Sequence, residues 1–279
     1  MNKKSFSHML AKFRRSKKAL AIPVTFLILF VSTIGMISVT YYLAIDKVNT
    51  RSQTIKVATA KQDFVSLEQD ISAVLWQPGS ARVVKITDSG GRTNIEPANN
   101  TVLISISDNS SLNEIIYNQT TGWIRYELPY TDAADTGLYL KGDSRTISNS
   151  SGASATQLYI TNGDKYVEIR LQYRPIVSYT TASSENGRPI NNIRIYVVNM
   201  NSSDSVSLHG ELPFRISCES TQISKTKYTI TYAIDKLEIS SIINQIIGES
   251  TVSISSTSEG AIINLEIVEC NIKIERSIL

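Results

Sequence analysis

An uncharged run of 26 residues, Leu20 to Ile45, constrains this chain more than any other feature. At 1.5 Å per residue the run would form a helix of about 39 Å, longer than the roughly 30 Å of hydrocarbon in a bilayer. Basic residues cluster just before it, at Lys12, Arg14, Arg15, Lys17 and Lys18. The length and the lack of charge predict a transmembrane helix over 20–45 in the lipid bilayer of the cell membrane. Clusters of basic residues beside such a helix stay on the cytoplasmic side. The leader 1–19 is then cytoplasmic, and the bulk of the chain is extracellular.

The charge distribution argues against a nucleic-acid partner. The formal charge is +3, but seven of the 28 basic residues lie in the leader, which leaves 21 against 25 acidic residues in the remainder. The predicted outer part is therefore mildly acidic. The basic residues of the leader are explained by membrane topology rather than by a nucleic-acid interface.

The segment 46–77 continues the helix with a different pattern. It contains no Gly or Pro, and Pro78-Gly79 follows it. Apolar residues recur at steps of three and four, at Val57, Ala60, Phe64, Leu67, Ile71 and Val74. This spacing predicts an amphipathic helix with a single apolar stripe. The stripe suits packing on a globular domain at least as well as a free coiled coil, and the alternative is a stalk or a dimer contact.

After residue 78 the period changes from 3.6 to 2, which indicates a mainly β fold. Short alternating runs separated by turn residues predict an antiparallel β-sandwich-like ectodomain. We divide it into a β-rich domain 78–182 and a second β-rich half 183–279, with loops expected at 118–122 and 182–189. Apolar residues at helical spacing predict one short helix near 235–247, with Asp235 at its start and Gly248 at its end.

At the junction between the leader and the apolar run, Lys17-Lys18-Ala19 precedes Leu20, and Pro23 follows closely. This junction resembles the class III signal of archaeal type IV pilins. Val24 stands where bacterial pilins carry an acidic residue after the cut, so the similarity is to archaeal members. The resemblance implies cleavage after Ala19 by a prepilin peptidase, a long N-terminal helix with a β-rich ectodomain, and self-assembly or assembly with other pilin-like subunits.

The two cysteines, Cys218 and Cys270, both fall in the predicted outer region. Each shares its strand phase with apolar residues, so both thiols are expected to face a core. Because the extracellular environment permits disulfides, we predict a Cys218–Cys270 bond that closes a loop of about 50 residues. The alternative is a pair of buried free thiols.

Five N-x-S/T sequons occur in the outer region, and none occurs in the leader. They predict glycosylation in exposed turns or loops. The acceptor residues are Asn99, Asn109, Asn118, Asn149 and Asn201.

The sequence contains few residues or motifs that are typical of catalytic sites. The outer region has one histidine, His209, and there is no Cys/His cluster with metal-ligand spacing and no nucleophile or phosphate-loop motif. We therefore expect a non-enzymatic cell-surface protein without metal or cofactor, either a pilin-like subunit or a pilin-related surface component. The alternative is an uncleaved single-pass protein whose β-sandwich binds a glycan, an envelope component or a partner protein. An extracellular hydrolase would require a cleft with convergent acids.

Overall fold

The computed structural model describes residues 3–108, 110–129, 135–149, 152, 154–163 and 165–277, with side chains from Pro23 onward except that of Leu212. In this described part, one helix precedes a long series of strands. The elements are α1 (Lys3–Val74), β1 (Ala81–Ile86), β2 (Arg92–Ser107), β3 (Asn113–Pro129), β4 (Tyr139–Lys141), β5 (Thr156–Asn162), β6 (Tyr166–Tyr173), β7 (Ile176–Glu185), β8 (Arg188–Asn199), β9 (Val206–His209), β10 (Leu212–Ile230), β11 (Lys236–Ile243), β12 (Ile246–Ser253) and β13 (Ala261–Arg276). The protein is therefore mainly β with a long N-terminal helix.

The chain forms two compact units, Met1–Gln53 and Thr54–Leu279, and α1 contributes to both. In the first unit, the helical residues 23–53 are all exposed. In the second unit, every residue of the predicted apolar stripe is buried, with Phe64 and Ile71 at 0 % exposure. The stripe from Val57 to Val74 therefore packs within the second unit, and the helix ends at Val74 rather than at Gln77.

The β region consists of two sheets. Sheet A has five strands in the order β1-β10-β13-β8-β7, and its pairs are antiparallel except for the parallel pair β13–β8. Sheet B has eight strands, with the order β12-β11-β2-β3-β6-β5-β4 and with β9 paired to β2. The parallel pair places β8 and β13 side by side, although the chain between them crosses into sheet B.

Two apolar cores divide the long strands between them. The first core holds the α1 stripe, and the second core contains no residue of α1. In β13, Ile263, Leu265 and Ile267 lie in the second core, whereas Cys270 and Ile272 lie in the first. This switch explains the change of apolar phase after Ile267, because alternate residues of a strand face opposite sides. The pairing of β10 with β13 has one irregularity, between Cys218 and Ser220 of β10.

The prediction of a helix near 235–247 is wrong. The segment forms the β11–β12 hairpin, in which Leu237, Ile239 and Ile243 are buried with a period of two. Its two-residue turn is Asn244-Gln245, with φ values of 51° and 66°. Isoleucine is stiff at χ1 and favours strands, and the positive φ pair gives the tight turn the twist that a hairpin needs.

Of the two segments predicted as loops, one lies inside a strand and the other contains a hairpin turn. Residues 118–122 lie inside β3, which runs unbroken past them. The segment 182–189 contains the ends of β7 and β8 and the tight turn Asn186-Gly187 between them. The expected division at 182/183 thus falls within β7, and each sheet takes strands from both sides of that position.

Candidate functional site

The apolar part of α1 satisfies its own hydroxyl groups. Thr33 donates to the Leu29 carbonyl at 2.7 Å, Ser38 to Ile34 at 2.9 Å and Thr40 to Met36 at 2.8 Å. A hydroxyl bonded within its helix can enter hydrocarbon without an unpaired donor. This one helix is long and apolar enough to cross a membrane, and none of its most apolar stretch is buried.

The residues of the predicted processing site, Lys17, Lys18, Ala19 and Leu20, all lie in α1 with helical backbone. Farther along, Gly35 has nothing within 4 Å of the position where a Cβ would lie. A neighbouring backbone could therefore approach the helix closely at this point.

The two cysteines meet in the first core. Cys218 on β10 and Cys270 on β13 are both buried free thiols, with Sγ atoms 3.6 Å apart, longer than the roughly 2.05 Å of a disulfide bond. The Trp76 backbone N–H donates to the Cys270 Sγ at 3.4 Å. Burial raises the pKa of Cys270 to about 12. The disulfide stays a prediction, now with its two sulfur atoms located side by side.

A buried carboxylate connects α1 to the sheets. Glu68 is 1 % exposed and forms an ion pair with Lys141 of β4. The hydroxyls of Ser72 and Thr156 donate to Glu68 Oε1 at 2.6 and 2.7 Å. Because a buried charge is tolerated only when it is paired and hydrogen-bonded, this network fixes the helix against β4 and β5.

The sequons differ in accessibility. Asn99 and Asn118 are exposed but lie on β2 and β3 rather than in loops, and Asn201 is exposed in a turn after β8. Asn149 is half-buried, and its Nδ2 donates to the Thr251 carbonyl at 2.8 Å. Asn109 lies outside the described residues.

A groove lies along the β7–β8 ladder of sheet A. Cross-strand pairs Thr180–Asn192, Ser178–Arg194 and Ile176–Tyr196 succeed one another on one face of this ladder. Two cavities follow the same face, with volumes of about 380 and 370 Å³. We call them together the sheet A groove; it is lined by Ser178, Tyr179, Thr180, Asn192, Ile193, Arg194 and Glu266 in one cavity, and by Ser72, Leu75, Trp76, Ser154, Ala155, Thr156, Ile176 and Tyr196 in the other.

The end of the helix determines where this face opens. On β8, Val198 and Met200 belong to the first core with the α1 stripe. Two residues earlier, Tyr196 packs edge-on against Trp76, with ring centroids 5.4 Å apart. Beyond that contact Asn192 and Arg194, which share the strand face of Tyr196, line the groove. The groove therefore begins where α1 stops covering sheet A.

One acid at the groove pairs with two basic residues. Arg194 donates through Nε to Glu266 Oε2 at 2.8 Å, and Lys225 approaches Glu266 Oε1 at 2.8 Å from the rim. Lys225 and then Arg194 lower the pKa of Glu266. Next to them, Asn264 Nδ2 donates to Asn192 Oδ1 at 3.0 Å. The groove thus offers amides and hydroxyls around a carboxylate that is already paired with two cations.

Glu266 is the one acid that lines the groove, and the described residues contain no group of three or more His, Cys, Asp or Glu that could hold a metal ion. The ring of His209 contacts the Gly91 carbonyl at 3.0 Å through Nδ1.

The groove and the buried Glu68 are not predicted from the sequence. Ile193, Ile195 and Val197 mark the core face of β8, so the polar residues between them were visible as an outward face. What the sequence does not show is the neighbour, because β13 pairs with β8 from about 70 positions away. Among the tyrosines of strands β5 to β8, Tyr179 is exposed, Tyr159 and Tyr196 are half-buried, and Tyr173 is buried in the first core.

Comparison of the chain with protein-family models, with curated proteins and with solved structures finds no match. The function is therefore argued from the chain itself.

Proposed function

We propose that the chain is a non-enzymatic, membrane-anchored cell-surface subunit of pilin-like architecture. The proposal rests on the change from exposed to buried apolar residues along α1. Residues 23–45 are apolar and exposed, whereas the stripe from Val57 to Val74 is buried in the β-rich unit. A helix of this kind has one part suited to a bilayer or a bundle of equal helices, and another part that is integral to a globular domain.

In this proposal the basic leader holds the N-terminus in the cytoplasm. A prepilin peptidase cuts after Ala19, and the freed apolar helix packs against other copies or other pilin-like subunits. Ser32 and Gly35 provide small side chains for close approach of helices. The hydroxyl of Ser32 donates to the Leu29 carbonyl at 2.9 Å, so it needs no partner from a neighbouring helix.

Glycosylation forms part of the same proposal, because the β-rich unit would lie outside the cell. Asn99, Asn118 and Asn201 are exposed acceptors. The side chain of Asn149 is held by the Thr251 carbonyl, so we expect it to carry less glycan than the other three.

The intact mass of the protein purified from membranes with an active prepilin peptidase tests the processing step. We expect a mature chain that begins at Leu20, and no cut in a Lys18→Asp variant. Lys12→Asp, which also removes a basic residue of the leader but not of the junction, is the control and should still be cut. Peptide mapping of the same sample locates the glycans. A wild-type mass that retains Met1 to Ala19 refutes the processing claim.

The second candidate is an uncleaved single-pass protein whose β-rich unit binds an extracellular ligand. The sheet A groove supports it, because a polar groove with aromatic residues at one end suits a ligand. This candidate predicts a retained leader and no filaments by electron microscopy of the cell surface. The pilin-like subunit predicts the opposite on both counts.

A further inference from the structure

The sheet A groove has the dimensions of an elongated ligand site. From Asn192 to Tyr196 the strand advances about 14 Å at 3.4 Å per residue. The two cavities along this distance have volumes of about 380 and 370 Å³. Each falls within the size range of small-molecule sites, and they follow one another on one strand face. A linear ligand that extends along this face from one cavity to the other would need two or three units.

The chemistry of the groove changes along its length. At one end Trp76 and Tyr196 form an aromatic wall in edge-to-face contact. In the middle and at the far end the lining consists of Ser178, Thr180, Asn192 and the Arg194–Glu266 ion pair. Aromatic rings contact apolar ligand faces, and amides and hydroxyls exchange hydrogen bonds with ligand hydroxyls.

The hydrogen-bonding groups of the groove are partly free for a ligand. The bond from Asn264 Nδ2 to Asn192 Oδ1 uses one atom of each amide. In the described part of the structure, Asn192 Nδ2 and Asn264 Oδ1 have no hydrogen-bond partner, and the same holds for the hydroxyls of Ser178 and Thr180. These neutral donors and acceptors lie side by side on adjacent strands.

The charges at the groove limit the class of ligand. Arg194 and Glu266 are the charged lining residues and are bonded to each other, and Lys225 also pairs with Glu266. A cationic ligand would have to displace Arg194 or Lys225 from Glu266, and an anionic ligand would have to compete with Glu266 for one of these two cations. We propose that the sheet A groove binds an uncharged oligosaccharide, with a sugar ring on the Trp76–Tyr196 wall and its hydroxyls on Asn192, Asn264 and Thr180. This site is independent of leader cleavage, so it goes beyond the proposed subunit role.

Titration calorimetry on the full-length chain tests the site. The protein is held in a zwitterionic detergent, since alkyl glycosides would compete for the groove. The probes are three neutral oligosaccharides, namely maltoheptaose, mannohexaose and cellohexaose, with oligogalacturonate as the acidic counterpart. We expect millimolar or tighter binding of at least one neutral probe and at least about tenfold weaker binding in an Asn192→Ala/Asn264→Ala variant.

A matched control and a second variant separate binding from folding. Gln119→Ala removes an exposed amide from β3 in sheet B and should leave the affinity unchanged. Thr180→Val keeps the shape of the side chain, removes one hydroxyl and should weaken binding by severalfold. In a Trp123→Phe background, fluorescence reports Trp76 alone and should change on binding.

Four results would overturn the proposal: no binding of any neutral probe at millimolar concentration, equal loss in the Gln119→Ala control, no change in Trp76 emission, or preferential binding of the acidic probe with loss in Lys225→Ala. Self-association through this face, detected by light scattering and abolished by the Asn192→Ala/Asn264→Ala variant, would also overturn it. None of these outcomes bears on the mass of the mature chain, so the groove and the processing step are tested separately.

Discussion

Replacement of Phe64 by alanine tests whether the second half of α1 is part of the β-rich core. Phe64 is 0 % exposed and its ring centroid lies 6.0 Å from that of Tyr126 on β3. The Tyr126 hydroxyl accepts hydrogen bonds from the backbone N–H groups of Ser89 and Gly91 at 3.1 and 3.0 Å. Phe64 thus packs on a ring that is itself fixed by the β1–β2 connection.

The expected cost follows from transfer and cavity terms. Burial of a phenylalanine side chain contributes about 1.5 to 3 kcal/mol relative to exposure. A residual cavity of up to about 100 Å³ adds up to about 2.4 kcal/mol at 24 cal/mol per Å³. The lost ring contact adds about 0.5 to 1.5 kcal/mol, but surrounding side chains will relax into part of the space. We expect a net loss of about 3 to 5 kcal/mol, the range measured for buried Phe→Ala changes.

Phe30→Ala is the matched control, because Phe30 lies on the same helix and is 59 % exposed. Both variants are unfolded with urea in detergent and followed by the emission of Trp76 and Trp123, which lie in the β-rich unit. With a slope of about 3 kcal/mol per M, Phe64→Ala should lower the midpoint by about 1 to 1.7 M. Phe30→Ala should leave it unchanged. Equal shifts in the two variants, or a Phe64→Ala loss under about 1 kcal/mol, would refute the reasoning.

Two further predictions concern the cysteine pair and a turn glycine. Burial raises the pKa of Cys270 to about 12, so the reduced protein keeps this stabilisation below the unfolded thiol pKa of about 8.5 and loses it as the pH rises toward 12. Urea midpoints measured between those pH values should fall more steeply in wild type than in Cys270→Ala, and identical slopes would contradict the assignment. Gly260 has a φ of +103°, and a Cβ there would lie 1.9 Å from the Ile230 carbonyl oxygen. Gly260→Ala should cost about 2 to 4 kcal/mol. Gly137→Ala, at a φ of +81° in open space, should cost only about 1 kcal/mol, and similar midpoints for the two would show that the contact is relieved.

The sequence predicts the parts of the fold that depend on local periodicity. The stripe from Val57 to Val74 repeats at steps of three and four, and the structure buries all of it. The paired strands β5 and β6 around Gly163 follow from alternation and a turn signal in the same way. These patterns succeed because one face of each element must meet a core.

Prediction fails where the chain offers two periods or no turn signal. Leu237, Ile239, Ile242 and Ile243 fit a helical spacing and a strand spacing alike. The deciding turn, Asn244-Gln245, contains no glycine, although both residues adopt positive φ. Ile246 and Ile247 are 61 % and 64 % exposed at the hairpin tip, so they contribute to an apparent helical stripe without facing any core. Asn118 was placed in a loop for a related reason, because a polar run can lie in the middle of an exposed strand.

The groove could not be predicted because it depends on where a distant helix ends. One face of β8 runs from Asn192 through Arg194 and Tyr196 to Val198. The alternation of residues along a strand gives no reason why one end of this face should be buried and the other exposed. Val198 is buried in the first core together with the stripe of α1. Trp76 lies two residues beyond the end of the helix and contacts Tyr196. The face beyond Tyr196 is open. The same division holds on β13, where Cys270 is in the first core and Glu266 lines the groove. The helix therefore has two structural effects on sheet A, since its stripe completes one core and its end defines the aromatic wall of the open face. A change that shortened α1 by one turn would remove Trp76 from Tyr196 and leave the amide-lined part of the groove without that wall.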